Sequence, residues 1–199
     1  MKSNVCKIEN GVKDLAEILK ESEMVASYNG LSHKQALQLR LICEEMDGML
    51  PRIIDNFDGE FWIEYEDGTC KVNAVVNFAE FTAKKKEELI KVSKSKTNAA
   101  ATGIIGKIRS AIENFFLDED GAQTGGPIND FCCVPTHYVM GFHYSYCWSL
   151  GEYKATVKKE KREEAWDELE KSIIASLADD VIVGVKGRQA SIVVIKKFA

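Results

Sequence analysis

The chain reads as an α+β two-layer sandwich, a largely antiparallel sheet covered on one face by helices. Its β-rich runs arrive in adjacent pairs around short turns, about Asp67-Gly68 and again about Lys186 to Gln189, which is the pattern of antiparallel hairpins. Apolar stripes at three- and four-residue spacing fall between these pairs and supply the covering helices. The 199 residues hold only 3 prolines and no serine- or glycine-rich linker, so residues 1–199 are expected to form one domain around one core.

After a short strand at Asn4 to Ile8, the residues Val12, Leu15, Ile18 and Leu19 recur at helical spacing, and Asn29-Gly30 suits a left-handed helix stop. Ser32 with Gln35 has the form of a capping box, and Leu39, Ile42, Met46, Met49 and Ile53 then define the buried stripe of a second helix. Pro51 cannot donate to the carbonyl four residues back, which predicts a bend or stop close to Leu50. In the hairpin that follows, Phe61, Ile63 and Tyr65 share one face, and Asp67-Gly68 accepts positive φ at both turn positions. A charged segment from Lys84 to Lys96 leads into a third helix marked by Ala101, Ile104, Ile108, Ala111 and Phe115, and a turn-rich surface loop runs from Leu117 to Asp130. HYVMGFHYSYCWSL and EYKATVKK read as paired strands around Gly151. Trp166, Leu169, Ile173, Ile174 and Leu177 predict one inserted amphipathic helix over about Arg162 to Ala178, before the terminal hairpin.

A net charge of −5 encodes no general attraction to phosphate backbones or anionic lipid, so neither nucleic acid nor a membrane is an expected partner. No stretch approaches the ~18 uninterrupted apolar residues of a membrane span, and Met1 to Leu15 lacks the apolar core of a secretory signal. A cytoplasmic protein is expected. The 6 cysteines form no CxxC pair and sit mostly in apolar runs, as reduced and packed thiols do. Neither GxSxG nor HExxH occurs, and with 3 histidines no nucleophile system stands out. Zinc is a minor alternative, because Cys132, Cys133, His137, His143 and Cys147 lie close together in the chain. Adjacent cysteines on a strand point to opposite faces, however, and His143 and Cys147 would be some ~13 Å apart, so no metal site is assigned.

On a helical wheel Glu45 lies at the edge of the Ile42, Met46, Met49 stripe while Glu44 points away, which makes Glu45 the carboxylate beside the core. The helix LRLICEEMDGML, the hairpin GEFWIEYEDGTCKVNAVV directly after it, a polar lid-like loop, the helix ATGIIGKIRSAIEN and the closing hairpin follow in order. Together they resemble the histidine-kinase-like ATPases, the superfamily of DNA gyrase, heat-shock chaperones, mismatch-repair ATPases and bacterial anti-sigma-factor kinases, over about Ser32 to Phe198. The last of these are similar in size. The resemblance implies a mixed, largely antiparallel sheet, with Glu45 at the position of the water-orienting glutamate, Asn77 at that of the adenine reader, and Gly103, Gly106 and Lys107 as lid contacts to phosphate. Met49 stands where that family has the asparagine that holds magnesium, and a soft thioether does not replace a hard oxygen ligand. Ala79 and Phe81 stand where glycines would make room for the nucleotide.

The implied protein is therefore a cytoplasmic bacterial regulator with a degenerate site: ATP or ADP held weakly, Mg²⁺ binding and hydrolysis impaired. A protein partner is expected at the lid or on the exposed face of the first two helices. The alternative is a pure interaction module whose pocket Met49 and Phe81 fill. Read without the resemblance, Glu45 is a solvated carboxylate, Met49 is core, and Gly103 to Lys107 is a helix start that lacks the spacing of a P-loop. The oligomeric state is not encoded in any pattern.

Overall fold

The computed structural model describes residues 1–10, 15–54, 56–78, 103–119 and 146–198. In chain order these form β1 (Cys6–Glu9), α1 (Leu15–Tyr28), α2 (His33–Ile53), β2 (Phe57–Glu66), β3 (Thr69–Phe78), α3 (Gly103–Glu119), β4 (Tyr146–Ser149), α4 (Leu150–Glu160), α5 (Glu163–Glu170), α6 (Ile173–Leu177), β5 (Asp180–Lys186) and β6 (Gln189–Lys197). The sheet has the order β1-β2-β3-β6-β5-β4, and every neighbouring pair is antiparallel. The α+β sandwich is thus realised, and no parallel pair occurs among the described strands.

The strand order reads the same from either edge. Each half of the chain runs strand, helices, hairpin, with β1, α1, α2, β2, β3 in the first and β4, α4 to α6, β5, β6 in the second, and α3 lies between them. The halves meet where β3 pairs with β6, and a pseudo-two-fold axis passes through the middle of that pair, near Asn73 opposite Val193. The first hairpin turns at Asp67 and Gly68, both with positive φ (46° and 76°), the type I′ pattern that matches strand twist. The second turns at Gly187 and Arg188, of which Gly187 alone takes positive φ.

One face of the sheet carries the core. Phe57, Phe61 and Ile63 of β2, Cys70, Val72, Ala74 and Val76 of β3, Val181, Val183 and Val185 of β5, and Ala190, Ile192 and Val194 of β6 join the buried residues of the helices in a single cluster. The stripe forecast for α2 is buried as expected: Leu39, Ile42, Met46, Met49 and Ile53 all belong to it. Ser32 and Gln35 exchange both bonds of the capping box, and Gly30 stops α1 with φ 66°.

Three local expectations are corrected. Pro51 does not end α2 near Leu50; it lies in the last turn, and the helix continues to Ile53, where extended Ile54 donates its N–H to Leu50 O. EYKATVKK is not a strand but most of α4. The alternation of Tyr153, Ala155 and Val157 resembles a strand, but Leu150, Tyr153 and Val157 also fall at three- and four-residue spacing and are the residues buried. The helix expected over Arg162 to Ala178 is two, because Ser172 starts α6 afresh by accepting a hydrogen bond from Ala175 N at 3.2 Å.

Candidate functional site

α2 is the element on which the sequence concentrates chemistry, and its surroundings decide what that chemistry is. On one flank Arg40 reaches α1, where its Nη1 lies 2.7 Å from Glu23 Oε1, while its Nε donates to Glu44 Oε1 at 3.1 Å. The opposite flank carries half-buried Glu45, and α2 also packs against α3 and α6. Met49 is 3% exposed in the core. Glu45 and the start of α3 therefore belong to one helix layer.

Asn77 does not join them. Tyr65 is opposite Cys70 in the first hairpin, so even-numbered residues of β3 face the core and Asn77 projects from the other face of the sheet. There it is exposed, donates through Nδ2 to Asp58 Oδ2 at 3.3 Å, and accepts from Gln189 Nε2 at 3.2 Å. This placement was legible in the sequence once the tight turn fixed the register: the parity that sends Phe61 and Ile63 inward sends Asn77 outward.

Gly103 opens α3 with φ 72°, and its N–H, assigned to a phosphate by the resemblance, donates to Glu168 Oε2 at 2.8 Å. A carboxylate of the chain itself thus occupies the positive end of the helix. Gly106 is buried. Lys107 lies 5.5 Å from the centre of the Tyr153 ring and borders an open depression of about 420 Å³ between α3, α4 and α5. Three cations, Lys107, Lys161 and Arg162, line it with three carboxylates, Glu163, Glu164 and Glu168. A second depression of about 270 Å³ lies at the β2–β3 turn, lined by Glu64, Glu66, Asp67, Thr69 and Lys71. Glu45 and Asn77 line neither of these two. With a thioether at Met49 and an acid on Gly103, the donor set does not fit a magnesium nucleotide.

Phe81 and Ala79 lie outside the described residues, as do Cys132, Cys133, His137 and His143 of the zinc alternative. Among the described residues no group of three metal-binding side chains forms, and no helix is long and apolar enough to cross a membrane. Cys6, Cys43 and Cys70 are buried and outside any disulfide, as their apolar surroundings predict. Burial pushes the Cys70 thiol from 9.0 up to about 12, and burial, with Cys70, Glu44 and Cys6 nearby, holds Cys43 well above its ordinary range. These are inert thiols, not nucleophiles.

Sequence patterns missed two features. Asn73 and Ser191 lie at the middle of the sheet on the face away from the core cluster, and Asn73 Oδ1 and Ser191 Oγ are buried with no hydrogen-bond partner among the described residues. Asp180 ties the second edge together: its Oδ1 accepts from Ser149 Oγ at 3.0 Å, Gly151 N at 2.9 Å and Val181 N at 2.8 Å. Compared with protein-family models, curated proteins and solved structures, the chain matches none.

Proposed function

We propose that this chain is a regulatory binding module that docks a protein partner on the outer surface of α1 and α2, a pseudoenzyme in which nucleotide turnover plays no part. The two-sided character of α2 carries this reading. Its inner stripe is closed, with Met46 and Met49 packed among Ile42, Leu50 and Ile53. Its outer stripe is open: Leu37 and Leu41, one turn apart, are 46% and 40% exposed, and the neighbouring Arg40 is held by two carboxylates. Apolar anchors four residues apart on a rigid, capped helix are what a partner's groove receives.

A second reading, ATP or ADP held weakly by a remnant histidine-kinase-like site, draws on the contact between α2 and α3, which keeps Glu45 and Lys107 in one layer. Thermal melting with millimolar ATP or ADP, with and without magnesium, separates the two. A ligand at a hundred times its Kd adds about 2.7 kcal/mol. The binding module shows no shift; a rise of several degrees that ignores magnesium replaces it with the remnant site. Exchanging Leu37 and Leu41 for glutamate should leave stability within about 0.5 kcal/mol and abolish retention of the partner that the unaltered protein holds.

A further inference from the structure

Among the described strands β1 is the outermost on its side of the sheet. Asn10 N–H donates to Phe57 O, and in an antiparallel ladder every second residue faces the neighbour, so Cys6 and Ile8 turn their backbone groups toward β2 while Lys7 and Glu9 turn theirs outward. The side chains of Lys7 and Glu9 are exposed on the sheet face opposite the core. Their settings differ: Lys7 lies opposite Glu60, whereas Glu9 lies opposite Asp58, a like charge. Across the β1–β2 ladder Glu9 therefore meets an acid and no cation.

The flank of α1 beside this edge is open and mixed, with exposed Met24 and Tyr28 on the same side of the helix as exposed Glu17. Asn4 donates through N and Nδ2 to Glu21 at 3.0 and 2.9 Å, and Asn29 Nδ2 donates to Met1 Sδ at 3.2 Å, which lays the N-terminal arm along α1. Exposed Met1, Val5, Met24 and Tyr28 border the same edge, with Tyr28 79% exposed.

We infer that β1 pairs with β1 of a second copy of this chain, antiparallel about a two-fold axis at Ile8. Only pairings that set outward-facing residues against each other make ladder bonds. Centred on Lys7 such a pairing would oppose lysine to lysine, and centred on Glu9 it would oppose glutamate to glutamate. Centred on Ile8 it sets Lys7 of each copy opposite Glu9 of the other in hydrogen-bonded pairs, and so supplies the cation that Asp58 does not. The two α1 helices then face each other and cover Met24 and Tyr28. Short edge strands with charged side chains ordinarily resist such pairing. Here opposite signs two residues apart make the edge complementary to itself, and the inference uses β1 and the flank of α1 beside it, not Leu37 and Leu41 of α2 that carry the proposed partner surface.

Sedimentation velocity and light scattering over a broad concentration range test it. The unaltered protein should dimerise reversibly, more weakly as salt rises. Lys7→Glu and Glu9→Lys should each raise the dissociation constant roughly tenfold or more, since each opposes like charges twice across the axis. The double variant Lys7→Glu/Glu9→Lys exchanges the signs and should restore association. Glu9→Lys gives Asp58 a cation within the monomer, so it tests the interface even where Lys7→Glu, set against Glu60, melts early. Tyr28→Ser should weaken the dimer without altering charge. A monomer at every concentration overturns the inference, as does a dimer that single reversals leave intact or that the double variant fails to restore.

Discussion

The two halves of the sheet follow one plan in unlike materials. The first is built of long regular elements: α2 runs 21 residues from a complete capping box, and β2 and β3 have 10 residues each. The helices of the second half have 11, 8 and 5 residues, while the edge strands of the two halves are alike at 4 each. A long helix holds itself through its own ladder once nucleated, whereas one or two turns must be fixed from outside. In the second half Asp180 does this for α4 by accepting from its cap residue, from its first turn and from β5, and Ser172 caps α6. The nearest counterpart in the first half, Glu21, only anchors the N-terminal arm through Asn4.

Three measurements press on this contrast. The largest effect should come from the first half, where regular strands approach most closely: a Cβ at Gly59 would stand 2.3 Å from Val75 O and 2.9 Å from Val76 Cα, both backbone atoms. Gly59→Ala should therefore cost more than about 4 kcal/mol in urea unfolding or prevent folding. A stable variant would mean that the β2–β3 ladder yields more easily than its regularity suggests. Next, Asp180→Ala should cost about 2–4 kcal/mol because it strands several donors at once, and Glu21→Ala about 1–2 kcal/mol. The reverse order would break the comparison.

The most gradual effect is a pH dependence in the first half. Burial raises the Cys70 thiol to about 12 in the folded chain, so the unfolded chain releases that proton first as pH rises above 9.0. The stability contributed by the neutral thiol is fully present below 9.0 and is lost as pH rises toward about 12. Unfolding free energies over that window should fall by up to about 1.4 kcal/mol per pH unit from this group, and Cys70→Ala should flatten the slope. An unchanged slope would place the titration elsewhere.

Where information was local, the sequence was legible. The capping pair Ser32 and Gln35, the stop at Gly30 and the turn at Asp67-Gly68 each act within a few residues, and each stands where the pattern puts it. The identity of α4 was ambiguous because Tyr153 and Val157 satisfy a strand period and a helical one, and the residue that fixes Ser149 as its cap is Asp180, 31 positions away. Of the candidate site, the inward stripe through Met46 and Met49 followed from periodicity. That Gly103 meets Glu168, and that Asn77 meets Gln189, depends on contacts spanning 65 and 112 residues, which no local period records.

The pairing of β3 with β6 is the clearest division between the two kinds of knowledge. Alternating apolar residues told that each strand would have an inner and an outer face, because burial imposes a period of two whatever lies alongside. They did not tell which strand lies alongside: Val72 would bury its side chain equally well beside many others. The internal two-fold arrangement therefore left no repeat in the letters. It arises only when two separately legible hairpins meet at Asn73 and Val193, for a strand's hydrogen-bonding edge is the same peptide groups in every sequence.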